Sequence, residues 1–150
     1  DEKRWHDADR WMSQANADLR AAATSASGGS YEWACFQAQQ AAEKALKALW
    51  IADELDPWGH SLVRLVKEHS DPDIAAELSA TLSEAAASLD QHYIPTRYPN
   101  GLPDLAPHQV FTAGQAAAAR TAAKEIIATA SRLLEMRRTR LEDARDGTGS

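Results

Sequence analysis

The stretch Tyr93-Ile94-Pro95-Thr96-Arg97-Tyr98-Pro99 carries residue types that recognise phosphate-bearing rings. A guanidinium grips phosphate through two parallel hydrogen bonds, and flanking aromatic rings stack on a base. Arg97, between Tyr93 and Tyr98, is therefore the first candidate ligand group. The competing role is structural: Arg97 bonds helix-end carbonyls while the tyrosines anchor the loop. A second cationic feature is helical. Gln40, Lys44 and Lys47 fall at i, i+4 and i+7, on one face that either meets an anion or faces solvent. His60 follows Gly59 near a helix start, where it would cap the helix or bond the loop. The candidate ligand-binding set is thus Arg97, Tyr98, Tyr93, Lys44, Lys47 and His60.

Other chemistry lacks its residues. There is no glycine-rich phosphate loop, no paired-His zinc helix and no Gly-x-Ser-x-Gly elbow. Glu-x-x-His, which di-iron bundles place on facing helices, does not occur. His6, His60, His69, His92 and His108 are scattered. Cys35 is the lone cysteine, so no disulfide forms within the chain, and a Cys-based zinc site lacks ligands. It reads as a small buried side chain. No metal or cofactor is expected, apart from a nucleotide as ligand. The net charge of −6 argues against a general nucleic-acid-binding surface, which needs a basic footprint, but leaves room for a local basic site. Arg132, Arg137, Arg138, Arg140 and Arg145 are interleaved with Glu135, Glu142 and Asp143 and read as a solvated helix end.

The elements that must position these residues are helical. Trp5, Ala8, Met12, Ala15, Leu19 and Ala22 recur in steps of three and four, one stripe facing a core. The Gly28-Gly29 pair stops that helix. A second helix over about 31–53 carries a narrow seam of Ala38, Ala42, Ala45, Leu49 and Ala52, and Glu43 with Lys47 forms a surface pair in the favourable order. A third is expected over about 58–69, with Leu62, Val63, Leu65 and Val66 inward. Asp71-Pro72 caps and opens a fourth, whose stripe is Ile74, Leu78, Leu82, Ala85 and Leu89. Over 90–110 the prolines at 95, 99, 103 and 107 exclude helix by removing backbone donors. Tyr93, Ile94, Tyr98, Leu102 and Leu105 make this an ordered loop strapped across the bundle. Thr112 and Gln115 form a capping box opening the last helix, with Ala116, Ala119, Ala123, Ile126, Ala130 and Leu133 running on toward Met136. The fold class is all-α: an up-and-down bundle of about five helices with a long Pro-rich ordered loop before the last. Small-residue seams on the second and last helices, and five tryptophans, point to a homodimer.

Three pieces occur in order: Gln-Ala-Ala-Glu-Lys-Ala-Leu-Lys at 40–47, His-Ser-Leu-Val-Arg-Leu at 60–65, and Arg-Tyr-Pro at 97–99. With an opening amphipathic helix and a long Ala-rich last helix, the set resembles the HEPN family, helical domains of prokaryotes and of the C-terminal part of sacsin. The resemblance covers most of the chain and implies a single domain over 1–142, with a flexible tail over 143–150. It implies a dimer that binds a nucleotide or a nucleotidyltransferase partner protein, in a toxin–antitoxin or related prokaryotic defence or stress system. Many members cleave RNA, so a metal-independent ribonuclease toxin is the alternative.

That ribonuclease branch uses Arg, four to six residues, then His. Arg97 meets no His until His108, which is too far. Arg64 and His69 fit the spacing and are the only catalytic alternative. Leu65 follows the Arg, however, and five helical residues rotate the two side chains apart by about 140°. RNA cleavage is therefore not the favoured expectation. No apolar run reaches membrane-span length and no leader segment is visible, so no membrane contact and a cytoplasmic location are expected.

Overall fold

The computed structural model describes residues 2–148 of the chain. It contains α1 (Glu2–Ser27), α2 (Tyr31–Ala52), α3 (Leu62–Lys67), α4 (Pro72–Asp90), α5 (Pro107–Val110) and α6 (Ala113–Thr148), with a 3-10 turn at Pro99–Gly101 and no strand among the described residues. The expected tail is helical through Thr148, and Gly149 and Ser150 lie outside the described residues. No helix is long and apolar enough to cross a membrane among the described residues.

The α1–α2 hairpin closes as the glycines require. Gly29 sits at φ 83°, Ser30 N–H donates to the Ser25 carbonyl at 2.9 Å and Gly29 N–H to that of Ala26 at 3.1 Å. This paired termination needs a left-handed residue, which glycine supplies at little cost. Helix α2 is the centre of the bundle and packs most extensively on α1 and α6, while α3 lies on α4. Its seam of Ala38, Ala42, Ala45, Leu49 and Ala52 is fully buried, as are Ala116, Ala119, Ala123 and Ala130 of α6. The small-residue seams from which a dimer was expected are thus consumed inside one protomer. On α4 the buried position is Ala86 rather than Ala85, and Met136 of α6 is exposed.

Two element boundaries differ from the sequence reading. Helix α3 begins at Leu62 and not near Trp58. Gly59 sits at φ 85°, outside the helical region, and the start is fixed from elsewhere. Ser61 Oγ accepts from Arg64 N–H at 3.2 Å, and the Asp90 carboxylate accepts from the Leu62 and Val63 amides at 2.7 and 3.0 Å. The proline-rich segment is ordered, yet it does form short helical turns at Pro99 and Pro107. Each proline holds the first helical position, where its missing donor has no partner to lose. The Thr112–Gln115 box forms, with Thr112 N–H donating to Gln115 Oε1 at 2.9 Å and Gln115 N–H to Thr112 Oγ1 at 3.2 Å.

Candidate functional site

Past the end of α4 the chain turns sharply. Thr96 Oγ1 donates to the His92 carbonyl at 2.5 Å, and Arg97 Nε and Nη2 both donate to the Tyr93 carbonyl, at 2.9 and 2.8 Å. Arg97 therefore does part of the structural work that competed with ligand binding. Its guanidinium carbon also lies 4.4 Å from the Phe36 ring centre, 4.5 Å from that of Tyr93 and 5.1 Å from that of Tyr98. Three rings and a carbonyl hold the cation, and no carboxylate pairs with it among the described residues. Rings stabilise a guanidinium without neutralising it. Its hydrogen bonds among the described residues use Nε and Nη2 and not Nη1, and Tyr98 beside it is about half exposed. The aromatic platform extends through Phe36 to exposed Trp33, whose ring centre is 6.1 Å away.

His60 joins this platform. Its ring stacks on Tyr93 at 4.4 Å with 20° between planes, and its Nδ1 lies 3.2 and 3.4 Å from the two Glu43 carboxylate oxygens. His60 thus reaches the loop and α2, rather than capping α3, which Ser61 and Asp90 do.

The two lysines are committed elsewhere. Lys44 Nζ is 2.6 Å from Asp18 Oδ2 of α1 and 3.5 Å from Gln40 Oε1. It borders a shallow groove of about 500 Å³ lined by Arg10, Trp11, Ser13, Gln14 and Lys44. Lys47 Nζ lies 3.5 Å from Glu43 Oε2 and 5.8 Å from the Trp11 ring centre. The Glu43–Lys47 pair forms as expected, but in the interior: the residues are 4% and 9% exposed. From Phe36 to Lys47 is about 16 Å along α2. The lysines and Arg97 are therefore joined only indirectly, through Glu43, His60 and Tyr93.

The other Arg–His pair is dispersed. The His69 side chain is 0% exposed. Its Nδ1 accepts from Asp71 N–H at 3.0 Å, so the neutral ring carries its proton on Nε2, which lies 3.1 Å from Asp53 Oδ2. Arg137 closes the cluster with bonds of 2.8 and 3.1 Å to Asp53 and 2.8 Å to Asp71. Burial works against ionisation of Asp53, but the hydrogen bonds from His69 and Arg137 outweigh it and hold its carboxyl below the usual range. Asp71 is shifted the same way: desolvation opposes ionisation, and Arg137 with the Ile74 and Asp73 amides overcomes it. Arg64 instead makes its contacts away from His69, with its side chain partly buried. Its Nε lies 2.9 Å from Glu68 Oε2, its Nη1 donates to the Trp58 carbonyl at 2.7 Å, and its guanidinium lies 3.8 Å from the Trp58 and 5.0 Å from the Trp50 ring centre.

Of the C-terminal arginines, Arg140 and Arg145 are exposed as a solvated helix end requires, but three others are committed to other helices. Arg132 pairs with Glu77 at 2.5 Å, Arg137 with Asp53 and Asp71, and Arg138 with Asp9 at 2.6 Å, tying α6 to the rest of the bundle. Cys35 is buried, and burial, followed by the charge of Glu32, pushes its thiol up to about 11. No group of three or more His, Cys, Asp or Glu is placed to hold a metal ion among the described residues.

Sequence reasoning missed Glu43 as part of the site and took it only as a helix-surface acid. The available signal was its position three residues after Gln40 and one turn before Lys47 on a helix otherwise filled with alanine and leucine.

Comparison with known proteins agrees with this architecture. The HEPN domain family model matches residues 8–140. The crystal structure of TT1696 from Thermus thermophilus is 41% identical, with a TM-score of 0.76, covering 83% of this chain and 96% of that one. ST0689, an archaeal HEPN homologue, is 33% identical, with a TM-score of 0.70, covering 85% and 97%. A HEPN domain protein from Thermotoga maritima (tm0613) is 30% identical, with a TM-score of 0.58, covering 84% and 98%. No curated protein matches the chain.

Proposed function

This chain belongs to the HEPN domain family, and from that premise we propose that it is a dimeric binding module whose Arg97 patch takes the phosphate of a nucleotide. The observation that carries the reading is the guanidinium of Arg97, held among Phe36, Tyr93 and Tyr98 with no carboxylate among the described residues to neutralise it. An arginine whose task is only to brace a loop needs no ring on three sides and no free edge. One that meets an anion needs both orientation and unspent charge. The adjoining rings of Tyr98 and Trp33 offer exposed surface for a base. The chain's net charge of −6 means that such a cation acts against the overall field, which favours a small phosphate-bearing ligand over a long polyanion.

The wider setting follows from the family: a prokaryotic toxin–antitoxin or related defence or stress system, inside the cytoplasm, with a nucleotidyltransferase as partner protein. Trp11 and Trp33 are exposed large apolar groups that support self-association. Light scattering at micromolar concentration should return twice the protomer mass, and a strict monomer overturns the dimer.

Calorimetric titration with ATP and GTP tests the ligand. Wild type is expected to bind one of them below millimolar concentration. Binding of neither removes those nucleotides as ligands and leaves the partner protein as the leading reading.

A further inference from the structure

We infer that Glu43 is the positioning residue of this site: through His60 and Tyr93 it sets where the Arg97 guanidinium stands. The inference rests on the reading of Arg97 as the phosphate-binding group. It begins from a group that packing alone does not explain. Glu43 lies among alanines and leucines on the most buried helix and is 4% exposed. Burying a carboxylate is costly unless it is paired and hydrogen-bonded. Its neighbours are Lys47 from its own helix, His60 from the α2–α3 connection, and Gln39, whose Nε2 lies 3.3 Å from Glu43 Oε1.

Two of those groups converge on one residue. Glu43 engages the His60 ring, while Gln39 Nε2 also reaches the His60 carbonyl at 3.4 Å. Gln40 in turn donates to Gln39 Oε1 at 2.7 Å, which orients that amide. His60 needs the grip, because its side chain is 56% exposed and it follows Gly59 in a left-handed turn. Left alone, such an imidazole samples several rotamers. Held by Glu43, it presents a fixed face to Tyr93 at 4.4 Å. Tyr93 then holds Arg97 twice over, by its ring and by its carbonyl. Each link is a direct contact.

The polar stripe of α2 is on this view not an anion-binding face. It is the support for one, joining the lysines to the Arg97 loop.

The test uses the full chain with Glu43→Gln, His60→Ala, Arg97→Ala and the Glu43→Gln/Arg97→Ala double variant. Two readouts are taken: ATP affinity by calorimetry, and the Arg97 Nε–H resonance, identified by its loss in Arg97→Ala. Coupling through a shared network predicts a roughly three- to tenfold loss of ATP affinity in Glu43→Gln and in His60→Ala, with thermal melts recorded alongside. In the Arg97→Ala background, Glu43→Gln should add nothing. The Nε–H resonance should shift or broaden in both single variants. Equal loss of affinity from Glu43→Gln with and without Arg97 overturns the relay, as does an unmoved Nε–H signal in His60→Ala, whose exposed position spares the fold. If wild type binds no ATP, the ligand reading fails on that ground while the resonance still decides the relay.

Discussion

Arginine appears at the two ends of this molecule in opposite circumstances. Arg137 makes hydrogen bonds to two carboxylates, beside a fully buried imidazole that lies 3.1 Å from one of them. Arg97 has rings, one carbonyl and, among the described residues, no carboxylate. The first arrangement satisfies its charge internally and joins α6 to the end of α2 and the start of α4. The second holds the charge in place and leaves it unspent. Side-chain type is the same in both, so function here is a property of what surrounds the guanidinium. The comparison assigns stability to one cluster and recognition to the other, and substitutions at each should move one quantity without the other.

The largest effect is expected at the Arg137 cluster. Asp53→Ala leaves Arg137 and buried His69 without their shared acceptor, and removing one member of a partly buried ionic cluster costs about 3 kcal/mol. For a chain of this size that lowers the melting temperature by roughly 6–12 °C. ATP affinity per folded molecule should be unchanged, since Asp53 touches nothing in the Arg97 patch. The cluster also gives a pH signature. Asp53 and Asp71 have carboxyls held below the ordinary range in the folded chain, so on acidification the unfolded chain takes up their protons first. Their stabilisation is full above about pH 4 and is lost as pH falls through the lowered native values. Arg137→Met should flatten this acid limb of the melting-temperature profile while lowering the neutral plateau. An unchanged acid limb would show that Arg137 does not depress those carboxyls.

Next in size is Arg97→Ala. Losing a charge-assisted contact to phosphate costs about 1.5–3 kcal/mol, or roughly ten- to a hundredfold in nucleotide affinity. The two bonds to the Tyr93 carbonyl and the contacts with three rings are lost as well, so stability should fall by about 2–3 kcal/mol, with helical circular dichroism intact. A purely structural Arg97 gives the same drop in melting temperature with binding per folded molecule unaltered.

The sequence made the helices legible because their information is local. The stripes of α1, α2 and α6 face inward at nearly every expected position, and both the Asp71-Pro72 start and the Thr112–Gln115 box are written within four residues. The two clusters are not local. Asp53 and Arg137 are 84 residues apart, and Glu43 and His60 are 17 apart, so no periodicity links them. Asp90 reaches back 28 residues to the Leu62 amide, and the late start of α3 could not be read without that contact. Arg97 with its tyrosines was visible because all three lie in one six-residue stretch. Phe36, the third ring over the guanidinium, comes from α2 and was not.

The smallest effect, and the sharpest check on the comparison, is expected at Arg64. Its spacing from His69 matches the ribonuclease branch of the family, yet the two side chains serve different environments. Arg64 lies between Trp58 and Trp50 and pairs with exposed Glu68, whereas His69 is sealed inside and meets Trp50 edge-on, with ring centres 5.7 Å apart. A general base must reach the proton that it removes, and an imidazole whose side chain is fully buried does not. Purified protein should therefore leave single-stranded RNA uncut. Arg64→Ala should cost about 1–2 kcal/mol, for two ring contacts near the surface and one hydrogen bond to the Trp58 carbonyl, with nucleotide affinity unmoved. His69→Ala should instead resemble Asp53→Ala, destabilising the fold. Robust RNA cleavage abolished by Arg64→Ala without loss of stability would invert the assignment. Arg64, packed on Trp58, and the interior His69 would then have to meet in a conformation other than this one, and the cluster around Arg137 would be the part of the molecule that opens.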